Sequence, residues 1–416
     1  MDKTIIIKES EKKLRLLFMG DFCPLGRIEE VCRRGDTAKV LGDYRKDFEN
    51  KDLSIANLEC PLTTSETAIA KDGPNIKAEP VAVNMALEIG IDVLSLGNNH
   101  IMDYGQEGLV ETINVLDENR IPHLGAGLNV NEARKPLIVD KKGVRIAFLS
   151  FCETEFNIGS PTKAGCAPIE IHGVCEAICK AKKEADLVIP LFHCGSEHYP
   201  LPSPRIKRQC RVFADCGAAA VICHHTHTVE GFEVYKDVPI FYGLANFVFG
   251  YRRKKRKRRP HWNEGLMARI DFNAKGAVAF GLIPYFFDAE EIQFKRLQED
   301  RRRVFFNRLE LLNRIIEDDN KLESLWKEYS LRRYRNWYSS TLKKARLYFW
   351  RNKARRDMTL WHNRANESHN DVIVTALDAR RRGKTEQDEG MKALLEDLIG
   401  RETTVMKIKR MIKAWI

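Results

Sequence analysis

The feature that most constrains this chain is a repeated alternation. Short apolar runs of strand length, each closing on polar residues, are separated by stretches with helical spacing. Residues 14–21 (LRLLFMGD), 52–59 (DLSIANLE), 91–100 (IDVLSLGNNH), 145–153 (RIAFLSFCE), 186–195 (DLVIPLFHCG) and 218–227 (AAAVICHHTH) read as buried strands. Residues 81–90, 108–120, 173–185 and 206–217 carry helical periodicity between them, several stopping at a glycine as helices often do. Up to about residue 285 the pattern is that of an α/β domain, completed by strands and turns in PIFYGLANFVF and GLMARIDFNAKGAVAFGLIPYFF.

Beyond residue 288 the chain changes to long, charged, Arg-rich helical patterns, so the expected division is an α/β domain over 1–287 and a basic helical extension over 288–416. Residues 306–329 place Leu309, Leu312, Ile315 and Ile316 on one buried helix face. No run approaches the roughly 18 apolar residues that span a bilayer. The N-terminal MDKTIIIKESEKKLRL lacks the features of a secretory signal or anchor, which leads to an expected cytoplasmic location, with peripheral contact to an anionic membrane left open. The eleven cysteines are odd in number and form no CxxC pair, as suits reduced thiols rather than a disulfide framework. A net charge of +11 favours an anionic partner, whether a phosphorylated substrate, an acidic polymer, a membrane face or a nucleic acid, and charge alone does not choose among them.

The chemistry is concentrated at the strand ends. Asp21, Glu59, Asn98, Asn99, His100, His193, His225 and His227 all fall at or just past the C-terminal ends of predicted strands, where loops of open α/β sheets converge into the binding crevice. Burying so many polar groups without partners would cost several kcal/mol each, so the constellation points to a metal centre. Oxygen and imidazole donors without thiolate suit divalent Mn, Fe, Zn, Ni or Co. A bridging carboxylate would let two such ions sit about 3.5–4 Å apart, an arrangement suited to hydrolysis of phosphoesters.

The segments GD (20–21), ANLECPLT (56–63), LGNNHIMDYG (96–105), HCGSEHYPLPS (193–203), CHHTH (223–227) and GLANFVFG (243–250) resemble, in order, the CapA family of capsule and poly-γ-glutamate synthesis proteins. That family belongs to the calcineurin-like metallophosphoesterase superfamily. The resemblance implies a four-layer αββα sandwich and two divalent ions, Mn, Fe or Zn, held by Asp21, Glu59, Asn99, His193, His225 and His227. It implies that Glu59 bridges, that His100 stabilises or protonates the leaving oxygen without binding metal, and that Asn98 and Asp103 orient the loop. Three positions depart from the superfamily pattern: Cys23 stands where a histidine is usual, Glu59 replaces an aspartate, and Cys223 replaces a glycine before the histidines. The implied function is metal-dependent hydrolysis in surface polymer metabolism by a metal-bound hydroxide. The alternatives are hydrolysis of γ-glutamyl amide bonds and a non-catalytic, polymer-binding subunit of a membrane capsule synthase.

Other residues carry weaker signals. His224, adjacent to a ligand on a strand, points to the opposite face and reads as a contact behind the ligands. Glu197 and His198 follow His193 closely enough to line a pocket, whereas His123, His172, His261, His362 and His369 have no companion motif. Arg252–Arg259 form an unbroken basic run, suited to an anionic substrate or lipid heads. Nucleic acid is not an expected partner, because no stacking motif accompanies that run. Residues 402–416 alternate apolar and basic positions as a terminal helix or membrane-surface helix does.

Overall fold

The computed structural model describes residues 3–250, 261–338, 353–384 and 388–399. The strand Leu14–Cys23 lies inside the first sheet, parallel to Leu53–Leu58, which continues to Val93–Ser95 and His123–Leu124. On its other side it runs antiparallel to Glu264–Asn273, followed by Gly276–Asp288 and the edge strand Lys3–Ile6. The second sheet has the order Phe232–Tyr235, Val238–Phe241, Val221–His224, Leu187–His193, Val144–Cys152, Leu137–Lys141, parallel in its middle four strands and antiparallel at both edges.

The period-2 geometry of strands sorts the apolar residues into layers. Leu16, Phe18, Ile55 and Val93 of the first sheet meet Ile146, Phe148, Ile189 and Ile222 of the second in one buried cluster. Their neighbours Leu17, Met19, Ala56 and Leu94 face the opposite way, onto Ile28, Met85, Ala86 and Leu109 of the helices Arg27–Arg34, Val83–Ile89 and Gly105–Glu118. Leu149, Phe151, Val188 and Phe192 likewise pack on the helices Ile171–Ala181 and Pro204–Asp215. The result is the αββα sandwich. Each fully buried Leu, Ile or Phe stabilises it by about 1.5–3 kcal/mol, more than the roughly 1 kcal/mol net of a ladder hydrogen bond, so packing between layers holds the sheets together.

The C-terminal helices Glu299–Glu317, Asp319–Arg333, Glu367–Arg381 and Glu389–Leu398 join the outer layer of the second sheet, and Lys353–Ala365 packs on Glu367–Arg381. Leu312, Ile315, Trp326, Val372 and Leu395 share one cluster with Phe192 and Phe213. The pattern over 306–329 resolves into two helices rather than one. Asp318 leaves helical backbone geometry and its side chain accepts from the Lys321 amide, capping the second helix. The buried Lys207 ties this junction to the domain, donating to the Ile316 carbonyl and, at 2.6 Å, to Asp319. All eleven cysteines are free thiols. Among the described residues no helix is long and apolar enough to cross a membrane. The basic run Arg252–Arg259 and the segment 402–416 lie outside the described residues.

One close approach fixes how the end of the first central strand meets the segment leading into Asn246–Phe249. A Cβ on Gly20 would lie 1.8 Å from the Ala245 carbonyl oxygen, while that oxygen accepts from the Asp21 amide at 3.0 Å. Gly20→Ala is therefore expected to lower the unfolding free energy by about 1–3 kcal/mol or more, read from urea denaturation, because backbone rather than a side chain must move.

Candidate metal centre

The parallel strands of both sheets end at the same place. Asp21 closes the first central strand, Glu59 follows Leu53–Leu58, Asn98, Asn99 and His100 follow Val93–Ser95, and His193 ends its own strand. His225 and His227 occupy the turn after Val221–His224. That turn is strained: His225 and His227 have φ of 94° and 55°, a region that costs non-glycine residues on the order of 1–3 kcal/mol each.

Two groups of donors result, and they share one carboxylate. Glu59, His193 and His225 present atoms mutually within 4.8 Å, as do Asp21, Glu59 and His227. His193 Nε2 lies 3.6 Å from Glu59 Oε1, 3.0 Å from His225 Nδ1 and 2.9 Å from Asn99 Oδ1. In the second group His227 lies 3.6 Å from Asp21 Oδ2 through Nδ1 and 3.7 Å from Glu59 Oε1 through Nε2. Separations of 3.6–3.7 Å are too long for hydrogen bonds and suit atoms that each reach about 2 Å to a common ion.

Glu59 supplies the test of fit. It is 0% exposed, and neither carboxylate oxygen has a hydrogen-bond partner. Burial pushes its pKa well above the carboxylate range, and the neighbouring Asp21 adds to the shift. Burial lowers His193 well below the usual imidazole value, with His225 next, and lowers His227 despite the opposing charges of Asp21 and Glu197. Neutral imidazoles around an orphaned carboxylate form a donor set that accepts divalent cations.

The amides behind the donors fix their orientation. Asn57 Nδ2 donates to Asp21 Oδ1 at 2.8 Å and lies 3.2 Å from His193 Nδ1, while Asn246 Oδ1 is 2.9 Å from His227 Nδ1. Asn98 Oδ1 accepts from the His100 and Ile101 amides at 3.1 and 3.0 Å and its Nδ2 donates to the Leu58 carbonyl at 2.7 Å. His100 Nδ1 sits 2.8 Å from Asp103 Oδ2, and the buried Lys71 ammonium pairs with the other Asp103 oxygen. The Lys71 ammonium also lies 3.2 Å from His100 Nδ1, so these contacts all fall on Nδ1 and not on Nε2.

The candidate ligands Asp21, Glu59, Asn99, His193, His225 and His227 thus converge, with His100, Asn98 and Asp103 beside them. His224 does not join: its Nε2 lies 3.0 Å from the Met19 carbonyl oxygen. Glu197 and His198 line a cavity that opens from His227. Cys23 packs in the cluster beneath the helices of the first sheet and belongs to neither donor group, so the Asp21 group has three side chains.

Sequence reasoning did not single out Asn57, Asn246 or Lys71. Asn57 lies near the C-terminal end of Leu53–Leu58, the same signal that selected Asn98 and Asn99, whereas Asn246 opens the strand Asn246–Phe249 and carries no such signal. Nor did it place the C-terminal helices at the site. Asn99 Nδ2 donates weakly to Glu155 at 3.3 Å, and Glu155 lies 3.8 Å from His362 Nε2. Glu367 accepts from the Thr154 amide and hydroxyl at 2.7 and 2.9 Å, and Ser368 donates to Glu153 at 2.9 Å. No local pattern announces contacts across some two hundred residues.

A buried pair of donor groups sharing a glutamate, at the converging strand ends of an αββα sandwich, defines the class of site. Residues 15–251 match the family described as bacterial capsule synthesis protein PGA_cap, and the chain belongs to that family. It is 32% identical over 259 residues to the capsule biosynthesis protein CapA of Bacillus anthracis, covering 60% of this chain and 63% of that protein. It is 30% identical over 244 residues to the PGA biosynthesis protein CapA of Bacillus subtilis (strain 168), covering 58% and 64%. A probable polyglutamine synthesis accessory protein of Mycobacterium tuberculosis is 25% identical over 214 residues, covering 46% and 55%. The chain spans just under two thirds of the length of the Bacillus relatives it matches.

Glu59→Gln should act in opposite directions on folding and on binding. In chelator-treated protein the neutral amide is cheaper to bury, and the urea midpoint should rise by an amount worth about 1 kcal/mol or more. Elemental analysis of the same variant after reconstitution with manganese or zinc should show the bound metal lost.

Proposed function

We propose that the chain is a metal-dependent hydrolase of capsule or poly-γ-glutamate metabolism, acting on a phosphoester or related electrophile. The observation that carries this reading is the shared, fully buried and unpartnered carboxylate of Glu59 between two groups of donors. Membership of a capsule synthesis family supports the setting. Glu59, Asn99, His193 and His225 would hold one ion and Asp21, Glu59 and His227 the other, the donor chemistry favouring Mn, Fe or Zn. Bound ions of this kind supply Lewis acidity and lower the pKa of water.

The chain's own residues do the rest. Asn57 and Asn246 hold Asp21, His193 and His227 in register. Asp103 fixes the His100 tautomer with the proton on Nδ1 when the ring is neutral, and Lys71 keeps the Asp103 carboxylate compensated. Protonated, His100 delivers its Nε2 proton to the departing oxygen. The same donors would serve attack on a γ-glutamyl amide. The three-side-chain group left by Cys23 favours a second reading, a polymer-binding subunit that docks on a membrane synthase without turnover.

The deciding experiment measures metal content and turnover of phosphodiesters and phosphomonoesters on the same samples. Near two equivalents of transition metal are expected in the native chain, lost together with turnover in a His225→Ala/His227→Ala double variant. His100→Ala should keep its metal while kcat falls about 10²–10⁴-fold, the range typical of a lost general acid. Protein that binds no metal and stays inert after reconstitution with manganese, zinc or iron overturns the hydrolase and leaves the binding subunit.

A further inference from the structure

An asparagine can hold a metal ion through one end only. Its carboxamide carries an accepting oxygen and a donating nitrogen of nearly the same shape, so a half-turn about the terminal bond replaces a ligand with a group that repels cations. Asn99 Oδ1 lies 2.9 Å from His193 Nε2, on the side of the donor group, while its Nδ2 faces the Glu155 carboxylate at 3.4 and 3.3 Å. An ionised carboxylate only accepts, so the reversed amide would set oxygen against oxygen there.

Glu155 is itself held from two directions. Within the matched region Asn157 ties it down, its Oδ1 accepting from the Glu155 amide and its Nδ2 donating to the Asn98 carbonyl, each at 2.9 Å. The other contacts come from beyond residue 251, where the family match ends. Asn366 Nδ2 donates to Glu155 Oε1 at 3.5 Å. Its own sense is set by capping the helix Glu367–Arg381, because Oδ1 accepts from the His369 amide at 2.8 Å. His362 is 8% exposed, and among the described residues neither of its ring nitrogens has a hydrogen-bond partner. The groups it faces are carboxylates, Glu155 at 3.8 Å from Nε2 and Asp72 at 3.7 Å from Nδ1. Its ring packs against Phe156 and His369, with centroids 5.3 and 4.8 Å away.

We propose that Glu155 is a positioning residue that turns the Asn99 carboxamide oxygen toward the ion, and that the helical extension, through His362 and Asn366, holds Glu155 to that task. The extension thereby governs retention of the ion assigned to Glu59, Asn99, His193 and His225, which the matched family region does not secure by itself. The proposal deepens the metal-dependent reading and rests on it for the ion alone, since the sense of the amide belongs to the metal-free chain.

The Asn99 side-chain amide is read by nuclear magnetic resonance in chelator-treated, full-length protein carrying isotope-labelled asparagine, its signal assigned by its absence in Asn99→Asp. Glu155→Ala and His362→Ala, each with an unchanged thermal midpoint, should shift that signal and speed its exchange with water. Calorimetric titration with manganese and with zinc should show one ion bound about 10–100-fold more weakly in Glu155→Ala, the range for loss of a partner behind a metal ligand. Two further variants separate orientation of the amide from simple attraction of a cation by a carboxylate. Glu155→Gln, which keeps an accepting oxygen without the charge, should restore most of the affinity. Asn99→Asp presents an oxygen whichever way it turns, so adding Glu155→Ala to it should weaken the ion no further. Equal losses in Glu155→Ala and Glu155→Gln, or an amide signal unmoved in the folded alanine variants, overturn the proposal. A wild-type chain that takes up neither metal defeats the hydrolase reading, and the amide signal still decides the orientation.

Discussion

An ionisable group at 0% exposure with no hydrogen-bond donor is the constraint around which this molecule is built. Left alone, the Glu59 carboxylate would cost several kcal/mol to bury, comparable with the net stability of an ordinary domain. The fold holds it at the meeting point of two sheets whose parallel strands bring Asp21, His193, His225 and His227 to the same end. The strained backbone at His225 and His227 belongs to the same account. Two unfavourable conformations and one carboxyl group without a hydrogen-bond partner persist because the apolar layers on either side over-determine the strand positions.

The helical extension is part of that over-determination. Glu153 lies just past a strand of the second sheet, and its Oε1 accepts from both Arg205 and Ser368. Arg205 in turn reaches Asp371, which also accepts from Ser203 at 2.9 Å. Side chains from the helix Glu367–Arg381 therefore complete a network that begins on the loops around His193, whose own carbonyl accepts from the Glu153 amide at 3.1 Å. The extension stabilises the position of the site as well as covering the sheet behind it.

Much of this was legible in the sequence, for a physical reason. Buried parallel strands must be apolar throughout, so their ends stand out as abrupt polar steps, and Asp21, Glu59, Asn99, His193, His225 and His227 sit on those steps. Helices such as Gly105–Glu118 and Pro204–Asp215 declared themselves through periodicity and closing signals. What stayed hidden depends on geometry without local pattern. The edge strand Lys3–Ile6 is too short and too exposed to show a burial signature. The break at Asp318 hides within a continuous helical periodicity. Lys71 looks like any surface lysine until the fold buries it against Asp103.

The register of the first central strand also sets a timetable. One edge of Leu14–Cys23 pairs with residues that follow it closely, but the other pairs with Glu264–Asn273, where Phe18 meets Ala268. A ribosome adding about 5–20 residues each second reaches that partner only after some tens of seconds. Throughout that interval a strand as apolar as LRLLFM keeps an open edge, the kind of surface that captures other nascent chains. Efficient production of this protein therefore depends on something sheltering that edge during translation, and slower synthesis lengthens the exposure instead of helping the chain to fold.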